Sequence, residues 1–451
     1  MTMKKQNLRY MKWIGKMIVL LFIFNFQFSI FDCSAQRVSL DECLEKALES
    51  NFSIKIIRDE ARMDKNNLNY STFLPTLEGT AKQTQTRNDT KTENSAGEVN
   101  KMSDVKTDNY TAGVALNWRI FDGLEMFTTH EKQKELLAMG ELAVQQAVEN
   151  LILNVSAAYY NVLVQHHKLM AARHSLELSN ERYDEARVRY KIGNRSGLEA
   201  QQAKIDLNTD SSTYVRQKEA LKSAYITLNK LMNTDLQMVN YVQDTILLGP
   251  QLVLGTLEQK TLAGNTTLLI AKKDQKISAL DLKNARAVLF PTLDFNSGYN
   301  YNKTDTPSSS TTLNRSNGFY WGFSLNVPIF SRLQNRTKIK NAKLELENTE
   351  FSYQEAEKET LGDLALMYNS YENNLLMVNF EIESASVAEA NLDAALEKYK
   401  IGSLSGIEFR EFQRSYIDAV DRKLSAIYQA KVSELSLLLL SGDIRGSFVV
   451  E

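Results

Sequence analysis

The sequence predicts a mainly α-helical fold with a membrane β part, built from one long unit written twice. Three observations carry this. Tyr190-Lys191-Ile192-Gly193 returns as Tyr399-Lys400-Ile401-Gly402, inside a longer match of YKIGNRSGLE (190–199) to YKIGSLSGIE (399–408) at an offset of 209. The same offset aligns Leu116-Asn117-Trp118-Arg119-Ile120-Phe121 with Leu325-Asn326-Val327-Pro328-Ile329-Phe330, and Phe73 to Leu77 matches Leu289 to Leu293 at 216. Beside these repeats, segments of period-two hydrophobicity alternate with long stretches whose apolar residues recur every seven.

The 451 residues could hold two or three ordinary domains, but the duplication favours two intertwined halves. Basic and acidic side chains nearly cancel, 53 against 55, so neither nucleic acid nor an anionic membrane surface is indicated as a partner. Pro75, Pro250, Pro291, Pro307 and Pro328 are the only prolines, and all fall outside the helices expected below.

Lys4, Lys5, Arg9, Lys12 and Lys16 precede an apolar run from Met17 to Ile30, and small residues follow at Ser34-Ala35. This is the pattern of a signal peptide over 1–35, cleaved after Ala35 to leave Gln36. Lipidation at Cys33 is the competing reading, although Asp32 before it is a poor lipobox residue. After cleavage only Cys43 remains, so no intrachain disulfide is expected. No later helix has spanning length and apolarity. A mature chain that enters a membrane must therefore do so as strands.

Residues 36–74 read as short helices. Ser39 and Glu42 have capping-box spacing, and Leu40, Cys43, Leu44, Ala47 and Leu48 form a stripe that breaks at Ser50-Asn51. The region 75–121 is a β-hairpin. Tyr110, Ala112, Val114, Leu116, Trp118 and Ile120 oppose Thr111, Gly113, Ala115, Asn117 and Arg119. Its second copy, 291–330, alternates more strongly: Phe319, Trp321, Phe323, Leu325, Val327 and Ile329 oppose Tyr320, Gly322, Ser324, Asn326 and Pro328. Leu293, Phe295, Tyr299 and Tyr301 likewise oppose Asp294, Asn296 and Asn300, while Leu77 to Gln83 alternates weakly. Thr86 to Asn109 and Lys303 to Asn317 read as water-exposed loops. Four strands of roughly ten residues, aromatic on one face and polar on the other, have the habit of a membrane β-barrel. A half-buried sheet in a soluble protein is the alternative. Aromatics near the strand ends, and the lack of any apolar element to cover that face, favour the membrane.

The regions 122–232 and 331–442 read as long helical hairpins. Val148, Val155, Val162, Leu169, Leu176, Tyr183 and Tyr190 recur every seven residues, with Leu151, Ala158, Ala172 and Ala186 in the second seam position. Tyr371, Val378, Ala385, Leu392 and Tyr399 keep that spacing in the second copy. A helix of about 65 to 70 residues is roughly 100 Å long, more than one globular core needs. Each long helix turns at its glycines and returns, over Leu198–Met232 and Ile407–Leu440. A linker, 233–256, joins the halves. Leu257 to Val288, within 257–290, repeats the short first helix, and 443–451 is a C-terminal tail.

Four strands cannot close a pore-sized barrel, and an open sheet edge cannot stand in lipid, so several chains must each lend four; three would give twelve. At this point the chain resembles the TolC-like outer-membrane efflux channels. The resemblance spans essentially the whole mature chain. It rests on the duplicated order, Leu-Pro-Thr-Leu at 74–77 and Phe-Pro-Thr-Leu at 290–293, Leu-x-x-Pro-Ile-Phe at 325–330, and the Tyr-x-x-Gly turns. It implies a homotrimer whose twelve-stranded β-barrel in outer-membrane lipid continues into a long periplasmic α-helical barrel. Such a protein is the passive exit duct of a tripartite efflux or type I secretion system, without catalysis. It docks through a periplasmic adaptor (membrane fusion) protein to an inner-membrane transporter of RND, ABC or MFS type.

The resemblance also assigns the turns 190–199 and 399–408 to the periplasmic tip. Gly193, Ser196, Gly197, Leu198, Gly402, Ser405, Gly406 and Ile407 become adaptor-contact candidates, a role compatible with glycines that merely cap helices. Acidic residues just after the turn would ring the narrowest point of the tunnel: by position Glu408 and Glu411, with Glu199 as first-half equivalent and Tyr399 at the same mouth. Carboxylates from three chains on one ring would hold cations and raise one another's pKa; solvated helix glutamates are the alternative. Some relatives carry a latching arginine in the second turn, where this chain has Leu404. Arg195 in the first turn is the candidate substitute, and a differently held gate the alternative.

His166, His167, His174 and His130 lack the i, i+4 spacing of a helix metal site, so surface histidine outweighs a metal role. No Walker loop, nucleophile elbow, CxxC or zinc spacing occurs, and neither enzyme activity nor a cofactor is expected. The alternative function is a periplasmic coiled-coil adaptor or scaffold without a pore. That class would share the hairpins and signal peptide but lack four aromatic strands.

Overall fold

Breaks in the hydrophobic period decide where each element starts and stops. The computed structural model describes residues 38–93, 95–192, 196–239, 245–307 and 312–446. The signal segment, Gly193 and Arg195 therefore lie outside the described residues. In chain order the elements are α1 (Leu40–Ser50), α2 (Phe52–Asn67), β1 (Thr76–Glu93), β2 (Val99–Phe121), α3 (Glu125–Lys191) and α4 (Gly197–Leu231). The plan then recurs as α5 (Leu254–Gly264), α6 (Thr266–Ala287), β3 (Thr292–Asp305), β4 (Leu313–Asn326), α7 (Gln334–Lys400) and α8 (Gly406–Leu440).

The capping box at the start of α1 is formed. The Ser39 N–H donates to the Glu42 carboxylate at 3.2 Å, and the Glu42 N–H donates to the Ser39 hydroxyl at 3.3 Å. At the break after Ser50, Asn51 caps α2 by accepting from the Ser53 and Ile54 N–H groups at 2.9 and 3.4 Å. Its amide nitrogen donates to the Leu231 carbonyl, at the end of α4, at 2.9 Å. The second half repeats this joint where one helix was expected over Leu257 to Val288. Asn265 accepts from the Leu268 N–H at 3.1 Å and donates to the Leu440 carbonyl at 2.9 Å, parting α5 from α6. The apolar pattern runs on through the break because both flanking helices bury the same side. Beside it Gly442, at φ +74°, approaches so closely that a Cβ there would lie 2.6 Å from the Gly264 carbonyl oxygen.

The four strands form one antiparallel sheet in the order β1-β2-β3-β4. They are longer than the ten residues expected: 18 in β1, 23 in β2 and 14 in each of β3 and β4. Much of the tract expected as loop is paired strand, with Thr86 opposite Thr107 and Glu93 opposite Val99. Alternation disappears there because both faces are polar. The ladder hydrogen bonds and β-branched Thr84, Thr86, Thr90 and Thr92 still hold the ribbon extended. Conversely β4 ends at Asn326, so Val327 and Ile329 lie beyond the ladder, next to Pro328, which has no N–H to pair. The register lines Trp118, Phe295 and Phe323 across one face, and Val114, Tyr299 and Phe319 beside them. The rings of Phe295 and Phe323 are 5.1 Å apart. On the opposite face Asn117 meets Asn296, and Arg119 pairs with Asp294 at 3.0 Å.

The chain divides into two compact units. One gathers the described residues up to Cys43, Ala158–Lys230 and Thr234–Ile246; the other holds Leu44–Ala157, Leu231–Asn233 and the residues from Leu247 onward. In the second unit, Tyr371, Val378, Ala385, Leu392 and Tyr399 of α7 are all buried, as their seven-residue spacing predicts. Val378 packs on Ala426 and Ala430, and Ala385 and Ala388 on Ala419. Small residues let α7 and α8 approach closely. In the first unit Val162 of α3 is fully buried, and Ala172 and Ala186 are buried too, but Tyr190 is exposed. The α3–α4 seam is partly polar. Arg182 pairs with Asp206, and the Ser175 and Ser179 hydroxyls donate to Asp210 at 3.1 and 2.5 Å. At the repeat offset, Ser179 and Asp210 become Ala388 and Ala419.

In the second unit, α3 is tied to α6 by Glu135, which accepts from Lys276 and, at 2.9 Å, from Lys273. These hydrogen bonds, Lys276 first, hold the Glu135 carboxyl below its ordinary 4.5. A depressed carboxyl stabilises the fold above its unfolded pKa, and that contribution is lost as pH falls through the folded value. Glu135→Gln is expected to cost about 1–2 kcal/mol at pH 7, leaving two ammonium groups short of a charged acceptor. Melting of the detergent-solubilised protein should show the deficit at neutral pH and its progressive closure as pH falls below the ordinary carboxylate value.

Candidate functional site: the hairpin tips and the sheet faces

The second tip is built by matched caps. Gly402 sits at φ +79°, the left-handed conformation that L side chains rarely adopt. There its N–H donates to the Tyr399 carbonyl at 3.0 Å and the Ser403 N–H to the Lys398 carbonyl at 2.9 Å, closing α7 in a Schellman turn. A Cβ on Gly402 would meet nothing within 4 Å. Within this chain the glycine is needed for its backbone angle, not for close approach. Ser405 then opens α8 with a capping box: the Glu408 N–H donates to its hydroxyl at 3.2 Å, and the Ser405 N–H donates to the Glu408 carboxylate at 2.9 Å. The backbone N–H and hydroxyl of Ser405 hold the Glu408 carboxyl below its ordinary value.

Tyr399 is buried, its ring stacked on Phe409 at 5.3 Å and 25°. It therefore locks α7 to α8 from inside the hairpin instead of lining a water-filled mouth. Glu411 is exposed and approaches Arg414 at 3.8 Å. Ile401 and Ile407 are among the most exposed apolar side chains of this tip. At the first tip Ser196 caps α4, accepting from the Leu198 N–H at 3.2 Å. The Tyr190 ring lies over Gly197, where a Cβ would be 3.0 Å from Cε2. Ala200 stands where the second tip has Phe409, so no ring stack buries Tyr190, and Ile192 and Leu198 stay exposed with it. Glu199, in the first turn of α4, is half-buried. Gly406 is the first residue of α8, as Gly197 is of α4.

Two surfaces matter beyond the tips. The aromatic face of the sheet is bare, with Phe319, Trp321, Phe323 and Leu325 each more than 60% exposed. Leu366, Phe380 and Val387 make a second stripe on α7 at multiples of seven, continued by Ile401 just past its end, and it too is exposed. The sequence carries that stripe, hidden beside the stronger seam of Tyr371 to Tyr399. Of the histidines, His166 and His167 meet edge to face at 6.0 Å, and His130 stacks on Tyr70 at 5.3 Å. Among the described residues no cluster of three or more His, Cys, Asp or Glu is placed to hold a metal.

An amphipathic sheet with a bare aromatic face, joined to helices of 67 residues, defines a membrane protein that crosses its bilayer on strands. The chain belongs to the outer membrane efflux protein family, which matches residues 43–234 and 257–443, both halves of the repeat. It is 22% identical over 345 residues to the probable outer membrane lipoprotein SilC of Salmonella typhimurium, covering 74% of this chain and 73% of that one. It is 21% identical over 350 residues to the outer membrane protein TolC of Escherichia coli K12, covering 74% and 69%. Its fold matches the Campylobacter jejuni CmeC outer membrane channel with a TM-score of 0.76 at 18% identity, over 90% of this chain and 86% of that one. The alternative of a periplasmic adaptor or scaffold is not favoured by these matches.

The Tyr399–Phe409 stack makes a specific claim about the second tip. Phe409→Ala removes a fully buried ring and is expected to cost about 3 kcal/mol locally. Amide exchange should accelerate over 396–412, while the first tip, which already has alanine there, should not change.

Proposed function

We propose that three copies close their sheets into one twelve-stranded barrel in the outer membrane, continued by a periplasmic conduit of paired long helices. The observation that carries this reading is the sheet itself, apolar and uncovered on one face and, among the described residues, unpaired along the outer edges of β1 and β4. In hydrocarbon those edges need strands of another copy. The exposed stripe on α7 supports the same assembly, because a second heptad seam suits a neighbouring helix. The duct passively conducts small molecules or proteins outward in a tripartite efflux pump or type I secretion system. An adaptor docks at the tips, on Gly193, Ser196, Gly197, Leu198, Gly402, Ser405, Gly406 and Ile407, and links the duct to an inner-membrane transporter of RND, ABC or MFS type. Outer-membrane fractions should give heat-modifiable trimers on gels and channels in planar bilayers. A detergent-free monomer with no channel activity would sink the proposal.

At the mouth, Glu408, Glu411 and Glu199 form the acidic ring, with Arg195 the latch in place of the arginine that Leu404 displaces. Gly402→Asn keeps the left-handed backbone angle but adds a side chain, so it separates capping from docking. Export is expected to fail with trimers intact; persisting export would remove docking at this glycine. Glu408→Ala/Glu411→Ala pores should lose cation selectivity, and unchanged selectivity would remove the ring. The Ser405 contacts draw the Glu408 carboxyl down, whereas three such groups on one ring push it up. Acidification of the trimeric pore through the ordinary carboxylate range should therefore weaken its cation selectivity. One relative is described as a lipoprotein, which keeps Cys33 as the rival N-terminus to Gln36; the intact mass of the mature protein separates the two.

A further inference from the structure

We propose that Tyr320 sets the width of the barrel's bore, and that Gly298 provides the niche in which its ring lies flat against the wall. The inference rests on the trimeric barrel proposed above, with the polar sheet face turned to the lumen. On that face the register places Thr76, Glu78, Thr80, Lys82 and Thr84 of β1, then Thr111 to Arg119 at alternate positions of β2. Asp294, Asn296, Gly298, Asn300 and Asn302 of β3 follow, and Gly318, Tyr320, Gly322 and Ser324 of β4. Across this stretch Tyr320 is the one aromatic among the described residues. Three copies would bring three phenol rings to a single level.

Gly298 is the direct ladder partner of Tyr320. A Cβ on Gly298 would lie 2.7 Å from the Tyr320 hydroxyl oxygen and 2.9 Å from Cε1, so the ring occupies the space a side chain would have taken. Asn300 is laid down in the same way, its Oδ1 only 2.5 Å from where a Cβ on Gly113 would stand. Gly318 and Gly322, the neighbours of Tyr320 on this face, would meet nothing within 4 Å and leave the wall open on both sides of the ring. Posture matters at this barrel size. Eight strands are just filled by their own side chains, while about sixteen leave a channel whatever those side chains do. Twelve fall between, so a ring lying flat or standing upright changes what can pass. Of the charged side chains on this face, Arg119 and Asp294 pair at 3.0 Å, while Glu78 stands in the same register row as Tyr320, through Ala115 and Gly298. At this level the Tyr320 ring sets the cross-section, and any discrimination by charge belongs to Glu78.

The test is thiol labelling of intact cells with maleimide-polyethylene glycols of graded mass, in a Cys43→Ala background with that parent as control. Asn117→Cys reports from the periplasmic side of the Tyr320 level, and Thr111→Cys from the outer side. Tyr320→Ala is expected to raise the mass limit at Asn117→Cys severalfold and leave Thr111→Cys unchanged. Tyr320→Phe should keep the parental limit. Gly298→Ala should lower the limit at Asn117→Cys by lifting the ring off the wall. Because a Cβ there also crowds the Val114 carbonyl oxygen at 2.5 Å, Tyr320→Ala carries the test alone if trimers of that variant fail to form. An identical limit at Asn117→Cys with and without the Tyr320 ring overturns the proposal and leaves the barrel standing. Failure of even the smallest reagent at both reporters overturns the lumenal placement itself, and the barrel with it.

Discussion

A backbone amide in hydrocarbon must find its partner within protein, and this sheet has two strands that cannot do so alone. Among the described residues, β1 and β4 each present one row of N–H and carbonyl groups with no strand beside it. An isolated four-stranded sheet with an aromatic face is therefore an incomplete object. In hydrocarbon its edges would be satisfied only where another sheet continued the ladder. The rest of the molecule is consistent with that demand. The helix α7 keeps one heptad stripe for its own hairpin and exposes another, so incompleteness in the sheet is matched by incompleteness along α7.

The two halves share a backbone plan but not a way of holding it. The second hairpin closes over alanines and a Tyr399–Phe409 ring stack, contacts whose strength depends on distance more than direction. The first closes over Arg182–Asp206 and over Asp210 with its two serines, which are directional and fix one register. Breaking one partner of such a buried pair costs far more than trimming an alanine contact. Duplication preserved the path of the chain. Divergence went into the seams.

Most of the fold could be read from period. The seven-residue spacing that ends in Tyr399 identified a buried seam, and the alternation of Phe319 to Leu325 identified a sheet face. Pattern reading works by contrast between apolar and polar neighbours, and it failed wherever contrast was missing. Thr86 to Asn109 is polar on both faces, so its strand pairing left no trace. No periodicity marks Asp206 and Asp210 as buried, because only the return of α4 along α3 supplies Arg182 and the serines. The break at Asn265 was hidden by a continuous apolar side. At the tips the motifs located the turns correctly, but only the backbone angle at Gly402 explains why that glycine is needed. The packing of Tyr399 depends on Phe409, ten residues away and across the turn.

The asparagine joints narrow what evolution or chemistry can do at the base of each hairpin. A helix N-cap ordinarily accepts serine, threonine or aspartate almost as well as asparagine. Asn51 and Asn265 are held to a second duty, since each also donates an N–H to the last carbonyl of a return helix. A carboxylate at either place would keep the cap but turn an acceptor toward that carbonyl, and a hydroxyl is too short to serve both. Deamidation, a trivial lesson in ageing for most surface caps, would here convert a clasp into a repulsion at the root of the hairpin.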